Sequence, residues 1–257
     1  MNYLRASAIE FRLRYLTHVL IFGLGFWAPW DRLLPHGNSL VINASAWPAL
    51  AALPWKAGWL SFPIATEVVL VIGIIAAGLG AFLRTWGSAY LGSSIVKDGA
   101  MHAGIVADGP YRRVRNPLYL GTFLHALALA LLMPPTGAIF SVLLIGLVQA
   151  RLIAGEEFFL SNSLGAAYTA YKATVPRILP SLTPRIPASG AAPRWFQAIL
   201  GETSMIGVAL SLAIFGWRYD RILLDKCVLI SLGLSLIARA TIPSAPQKQE
   251  PATSSGV

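Results

Sequence analysis

Six apolar stretches divide the chain, and they restrict its possible folds more than any other feature. They run Tyr15–Leu34, Pro63–Leu83, Pro117–Met133, Gly137–Ile153, Thr203–Trp217 and Ile222–Ala238. A helix needs roughly 20 mostly apolar residues, within a range of about 17–25, to cross the hydrocarbon core of a bilayer. Pro134-Pro135-Thr136 joins the third stretch to the fourth, and Arg218-Tyr219-Asp220-Arg221 joins the fifth to the sixth. Links that short allow only tight helical hairpins. The first stretch is the weakest, because Pro29 and Asp31 interrupt its end. Ala46–Leu60 is also apolar but carries Pro48, Pro54 and Lys56 with Trp47, Trp55 and Trp59. Tryptophan favours the headgroup region, so this piece reads as an interfacial segment. The fold class this predicts is all-α: a polytopic membrane bundle of about six transmembrane helices, with a cytoplasmic amphipathic helical segment.

Composition excludes the soluble alternative. Hydrophobic residues make up 56% of the chain and charged residues 12%, against about 25% charged in an ordinary soluble domain. The net charge of +9 does not point to nucleic acid, because the basic residues are parcelled out between apolar runs. Their placement instead orients the bundle. With six spans, fifteen of the 20 Lys and Arg residues fall on the side of the termini and the two long loops. Arg32, Lys56, Arg218, Arg221 and Lys226 fall on the other. Positive charge concentrates on the cytoplasmic side of membrane proteins, so termini and long loops are expected there. Cys227 is the only cysteine and lies in an apolar run, which rules out an intramolecular disulfide. Met1–Arg14 is basic and mixed, with no cleavable secretory signal evident.

Four regions follow from this pattern. Residues 1–83 form an N-terminal membrane region of two spans and the interfacial segment, and residues 84–187 hold the polar chemistry around a helical hairpin at 117–153. Residues 188–242 form a C-terminal hairpin, and 243–257 is a tail rich in Pro, Ser, Ala and Gln, expected to be disordered. From Glu157 onward, Phe158, Leu160, Leu164, Ala167, Tyr168 and Tyr171 recur at helical spacing, which predicts an amphipathic helix lying on or against the bundle. No internal repeat, phosphate loop, Rossmann fingerprint or zinc-ligand spacing is present.

Two polar runs interrupt the apolar pattern. The first is Gly109-Pro110-Tyr111-Arg112-Arg113-Val114-Arg115-Asn116-Pro117-Leu118-Tyr119-Leu120-Gly121. The second comprises Glu156-Glu157, Leu160, Leu164-Gly165, Tyr168, Tyr171, Val175-Pro176-Arg177 and Pro180. Taken singly, each has a plain explanation. Arg112, Arg113 and Arg115 can serve only to set topology. Glu156 and Glu157 can be a solvated helix start, Tyr168 and Tyr171 interfacial aromatics. Pro110 and Pro117 set a turn and open a helix.

Together the runs resemble the paired signatures of integral-membrane methyltransferases, the isoprenylcysteine carboxyl methyltransferase and phospholipid methyltransferase group. The resemblance covers about Leu83–Leu182. It implies S-adenosylmethionine as cofactor and a lipophilic or lipidated acceptor arriving among the membrane lipids. It also implies that His102, Gly109, Pro110, Tyr111, Asn116, Pro117, Tyr119, Gly121, Glu156, Tyr168 and Tyr171 lie at the cofactor, with Arg115 and Glu157 as catalytic residues. No metal is implied.

The chemistry of methyl transfer suits this set. Transfer from a sulfonium to an anion neutralises charge, so excluding water and aligning the reactants supply much of the acceleration. A guanidinium such as Arg115 grips a carboxylate acceptor bidentately, and a glutamate suits a cationic amino group. An amine or hydroxyl acceptor would also need a base, for which Glu157 or His102 stand as candidates.

Asn116 departs from the family, which has histidine there. Asparagine keeps hydrogen-bonding capacity but cannot titrate near neutrality. His102 can equally be a surface-loop histidine. His125, at membrane depth, reads either as functional or as a neutral imidazole bonded to a neighbouring helix. Two other functions fit the same outline: an NADPH-dependent membrane reductase of the sterol-reductase kind, and a non-catalytic membrane binding protein.

Overall fold

The structure is a computed structural model that describes residues 5–27, 45–91, 108–218 and 220–241. His102, the end of the first expected span and the expected disordered tail lie outside these residues. Among the described residues every regular element is helical. In chain order they are α1 (Ala8–Arg12), α2 (Arg14–Trp27), α3 (Ala46–Lys56), α4 (Phe62–Leu91), α5 (Pro117–Ala130), α6 (Pro135–Leu164), α7 (Ala166–Thr174), α8 (Trp195–Gly201), α9 (Thr203–Phe215) and α10 (Arg221–Thr241). Short 3-10 turns at Gly109–Arg112 and Gly216–Arg218 complete the set.

Helix α4 is the axis of the bundle, contacted by α3, α5, α8 and α9. Its sequence explains why. One face is small, with Ala65, Gly73, Ala77, Gly80, Ala81, Gly87 and Ala89 buried. The other presents Ile64, Ile72, Ile75, Leu79 and Phe82 outward, as a lipid-facing helix should. In lipid, helices associate through close packing of small residues rather than through water exclusion. The α4–α5 crossing shows this directly. A Cβ at either Gly80 or Gly121 would lie 2.7 Å from the other glycine's carbonyl oxygen. Gly121 therefore acts first as a packing residue.

The α5–α6 hairpin turns at Leu131–Met133 and restarts with Pro134 and Pro135, where proline costs no intrahelical bond. The interfacial segment caps this turn. Ala46 N–H donates to the Met133 carbonyl (2.7 Å), Trp47 N–H to that of Leu131 (3.0 Å), and the Trp47 indole to Thr66 (2.9 Å). Trp55 and Trp59 are exposed.

By length and apolarity, Phe62–Leu91 and Pro135–Leu164 each suffice to cross a membrane. Helices α8 and α9, with the turn after them, form a third candidate span, bent by 68° at Glu202. Pro117–Ala130 is a shorter apolar helix. The two long helices overrun the apolar stretches that announced them, and both overruns position the site. The amphipathic pattern beginning at Glu157 is divided: its first part continues α6, and α7 starts only after Gly165, which takes φ +55°.

Candidate active site

The two polar runs meet at one end of α4, α5 and α6. The 3-10 turn at Gly109–Arg112 needs its glycine. Gly109 has φ +57°, and a Cβ there would meet the Tyr90 ring and lie 3.1 Å from the Trp86 indole nitrogen. Pro110, Tyr111, Asn116 and Pro117 are all buried around this turn.

Glu157 is the node that joins the runs. Its Oε1 accepts from Arg115 Nε (3.1 Å) and from the Asn116 amide (3.2 Å), and its Oε2 faces Arg177 Nε (3.2 Å). Arg115 Nη1 donates to the carbonyls of Lys172 and Val175, and the Arg115 N–H donates to the Pro176 carbonyl (2.9 Å). Asn116 also donates to the Arg177 carbonyl (3.1 Å). Arg115 and Glu157, both expected as catalytic residues, are thus bonded to each other. Side chains of both are more than nine-tenths buried. Asn116 supports the second motif rather than a titrating group.

Glu156 has a different environment. Its Oε2 accepts from the Tyr119 hydroxyl (3.0 Å), and it makes no ion pair among the described residues. Nearby, the buried Tyr111 hydroxyl has no hydrogen-bond partner. It reaches α4 at Gly87, where a Cβ would stand 3.4 Å away. Burial, and after it the Glu156 carboxylate, push its ionisation well above the ordinary phenol value, so it stays a neutral donor. Glu156, Arg84 and Glu202 all lie within electrostatic reach of it.

Tyr168 and Tyr171 pack with Val175 into a small core that also receives Leu160, Leu164 and Ile186. The Tyr171 hydroxyl donates to the Tyr111 carbonyl (2.9 Å). Burial, followed by Glu157, lifts Tyr168 to about 12. Both rings pack beneath the first motif, and Tyr171 also hydrogen-bonds to it.

Beyond α7 the chain has no regular structure and is strapped along the first motif. Ser181 N–H donates to the Arg113 carbonyl (2.9 Å) and Arg185 N–H to that of Arg112 (2.8 Å). The Arg112 side chain donates to the Ile186 carbonyl (2.9 Å), and Arg113 to that of Leu182. Asp108 fastens the far end, accepting from the Ser189 N–H (2.8 Å) and hydroxyl and from the Ala191 N–H (2.9 Å). These bonds, led by that of the Ser189 hydroxyl, hold its carboxyl below the usual value.

A second ionic group carries no motif. Arg84 in α4 grips Glu202 through Nε (2.6 Å) and Nη2 (2.9 Å), and its Nη1 donates to Thr122 of α5 (2.7 Å). Ser88 adds a bond to Glu202 (2.8 Å). Glu202 stands at the bend between α8 and α9, so this network joins the C-terminal helices to α4 and α5. One turn from Thr122, His125 is buried with its Nδ1 unpartnered. Among the described residues no group of three or more His, Cys, Asp and Glu side chains could hold a metal.

An all-helical bundle with long apolar helices, gathering arginines, tyrosines and paired glutamates at one end, is a membrane protein with a cluster of buried polar groups at its edge. The comparison with known families makes the class specific: residues 68–167 match the family described as phospholipid methyltransferase. Over that region the chain is similar to the group of membrane methyltransferases that its two motifs resemble. No curated protein and no solved structure gives a significant match. The match includes Glu156, Glu157 and the first motif, and ends before Tyr168, the strap and Glu202.

Proposed function

We propose that this protein is an S-adenosylmethionine-dependent methyltransferase that modifies a lipophilic acceptor delivered from the bilayer. The observation that carries the reading is Glu156: a partly buried carboxylate oriented by Tyr119, in no salt bridge among the described residues and with Arg14 only within electrostatic reach, at the junction of both motifs. A buried anion needs positive charge nearby, and a ligand bearing an ammonium and a sulfonium provides it. The orphaned Tyr111 hydroxyl offers such a ligand a donor. When bound, S-adenosylmethionine would supply the electrophilic methyl group.

The remaining residues do three things in this reading. Glu156 holds the cationic end of the cofactor, and Tyr119 fixes the direction of that carboxylate. Arg115 and Glu157 act as one unit, holding Asn116 and the turn at 175–177 beside Tyr119. The Tyr168–Tyr171–Val175 core and the strap shield the site from water, which strengthens every electrostatic contact inside. A carboxylate acceptor, as in the isoprenylcysteine enzymes, would compete with Glu157 for Arg115. An amine or hydroxyl acceptor would pass its proton to a glutamate. Both motif loops face the cytoplasm, in accord with the distribution of Lys and Arg.

The test is transfer of labelled methyl from S-adenosylmethionine in reconstituted membranes offered a prenylcysteine, an amine-headgroup lipid or a quinone-like hydroxyl acceptor. Wild type labels one of the three, and Glu156→Gln labels it far more weakly at the same limiting S-adenosylmethionine concentration. Oxidation of NADPH with no label transferred would favour the reductase reading instead.

A further inference from the structure

From Phe158 to Gly201 the chain contains Lys172, Arg177, Arg185 and Arg194 and not one acidic residue. All four cations are exposed. Within this stretch the strap has an inside and an outside. Ile186 turns in against the Tyr168–Tyr171–Val175 core. Leu179 and Leu182 turn out, 79% and 95% exposed, although the bonds at Ser181 and Leu182 tie the backbone between and beside them to the first motif. The apolar surface continues onto α8 through Phe196 and Ile199, where the third candidate span begins.

The depth of the strap can be measured along the long helices. Glu157, bonded to Arg177, lies 22 residues beyond Pro135, about 33 Å along α6 at 1.5 Å per residue. Ala89, whose carbonyl takes the Arg194 N–H (2.8 Å), lies 27 residues beyond Phe62, about 40 Å along α4. The hydrocarbon core is about 30 Å thick, and the headgroups bring the bilayer to about 40–45 Å. Both ends of the strap are therefore held at headgroup level, where exposed leucine and arginine side by side have a natural counterpart.

We infer that the strap is a membrane-docking element for an anionic lipid surface. Leu179 and Leu182 enter the boundary between headgroups and acyl chains, while Lys172, Arg185 and Arg194 lie over negatively charged headgroups. Clustered cations are drawn to anionic leaflets in this way. Because the strap is bonded to Arg112, Arg113 and Asp108, docking also steadies the cover of the candidate site beside the lipid. That consequence rests on the proposed function; the docking does not.

The experiment uses full-length protein in nanodiscs of zwitterionic lipid, alone or with about one third anionic lipid. A spin label is placed at Leu179→Cys or Leu182→Cys in a Cys227→Ser background. Both labels should be accessible to lipid-soluble oxygen and shielded from an aqueous nickel chelate, and more strongly so with anionic lipid. Lys172→Ala with Arg185→Ala should remove the gain from anionic lipid. Unlabelled wild type supplies a second readout, in which tryptic cleavage after Arg185 slows at least severalfold in anionic discs. Free access of the chelate in both lipids, or cleavage indifferent to lipid charge, would overturn the inference. So would shielding that appears only with two copies per disc, since it would make the occupant a second chain. None of these readouts involves a methyl donor, so failure here leaves the enzymatic reading standing.

Discussion

Glu156 and Glu157 are neighbours in the chain with opposite surroundings, and the difference gives them separable predictions. Glu157 accepts from Arg115, Asn116 and Arg177, whereas Glu156 accepts from Tyr119 alone. Glu157→Gln should lower the melting temperature in detergent, because it leaves the Arg115 guanidinium buried without its anion, a loss of about 3–5 kcal/mol when a buried pair is broken. Glu156→Gln should leave the melting temperature within about 2 °C of wild type and weaken S-adenosylmethionine binding roughly 10- to 150-fold, as for one charged hydrogen bond. Equal thermal losses in both would show that Glu156 is structural too. The sequence marks the pair but does not separate its members. Adjacent helical positions differ by about 100°, and which face meets Arg115 depends on how α6 rotates in the bundle. The arginine cluster posed the same difficulty: Arg112 and Arg113 bind the strap and Arg115 binds Glu157, a division that no spacing rule announces.

At the scale of elements, hydropathy located the helices but ended α4 and α6 too early. The apolar run stops at Leu83 and Arg84 looks like the first residue of a cationic loop, yet the helix continues to Leu91. Arg84 is tolerated inside because Glu202, 118 residues away, neutralises it. A pair so separated, with one member at a helix bend, leaves no local signature. Removing Glu202 alone should therefore cost about 3–5 kcal/mol, while Arg84→Met with Glu202→Leu should recover most of it. Thermal unfolding of the two singles and the double forms the cycle. A double variant as unstable as the sum of the singles would mean that the pair does not act as one unit.

The strap adds a pH dependence. The Asp108 carboxyl ionises below its ordinary value because the charged form accepts from Ser189 and Ala191. Its contribution is thus complete above the unfolded value of about 3.9 and is lost as pH falls through the lower folded value. Hydrogen exchange at the Ser189 and Ala191 amides should stay slow from pH 7 to about 4.5 and show extra opening only below pH 4. Asp108→Asn should open them at every pH. Unchanged protection in that variant would remove Asp108 from the account.

For the molecule as a whole, the class was legible because lipid demands long apolar helices and the two motifs are dense in polar residues, and both leave strong local marks. The span count was less legible. Helices α8 and α9 cross as one bent unit at most, and α5 is short, so the count depends on packing rather than on hydropathy. The orientation carries its own check: a cysteine at Lys172, exposed on α7, should resist impermeant reagents in intact cells and react after permeabilisation. Labelling in intact cells would invert the topology.

The proposal that matters most is that the polar cluster where the two motifs meet binds S-adenosylmethionine. Calorimetric titration of the purified, detergent-stable protein tests it most directly, with S-adenosylmethionine and NADPH as alternative ligands. The account predicts saturable binding of S-adenosylmethionine to wild type, binding weakened roughly 10- to 150-fold in Glu156→Gln, and no heat from NADPH. Binding of NADPH, or binding of S-adenosylmethionine indifferent to Glu156, would contradict it.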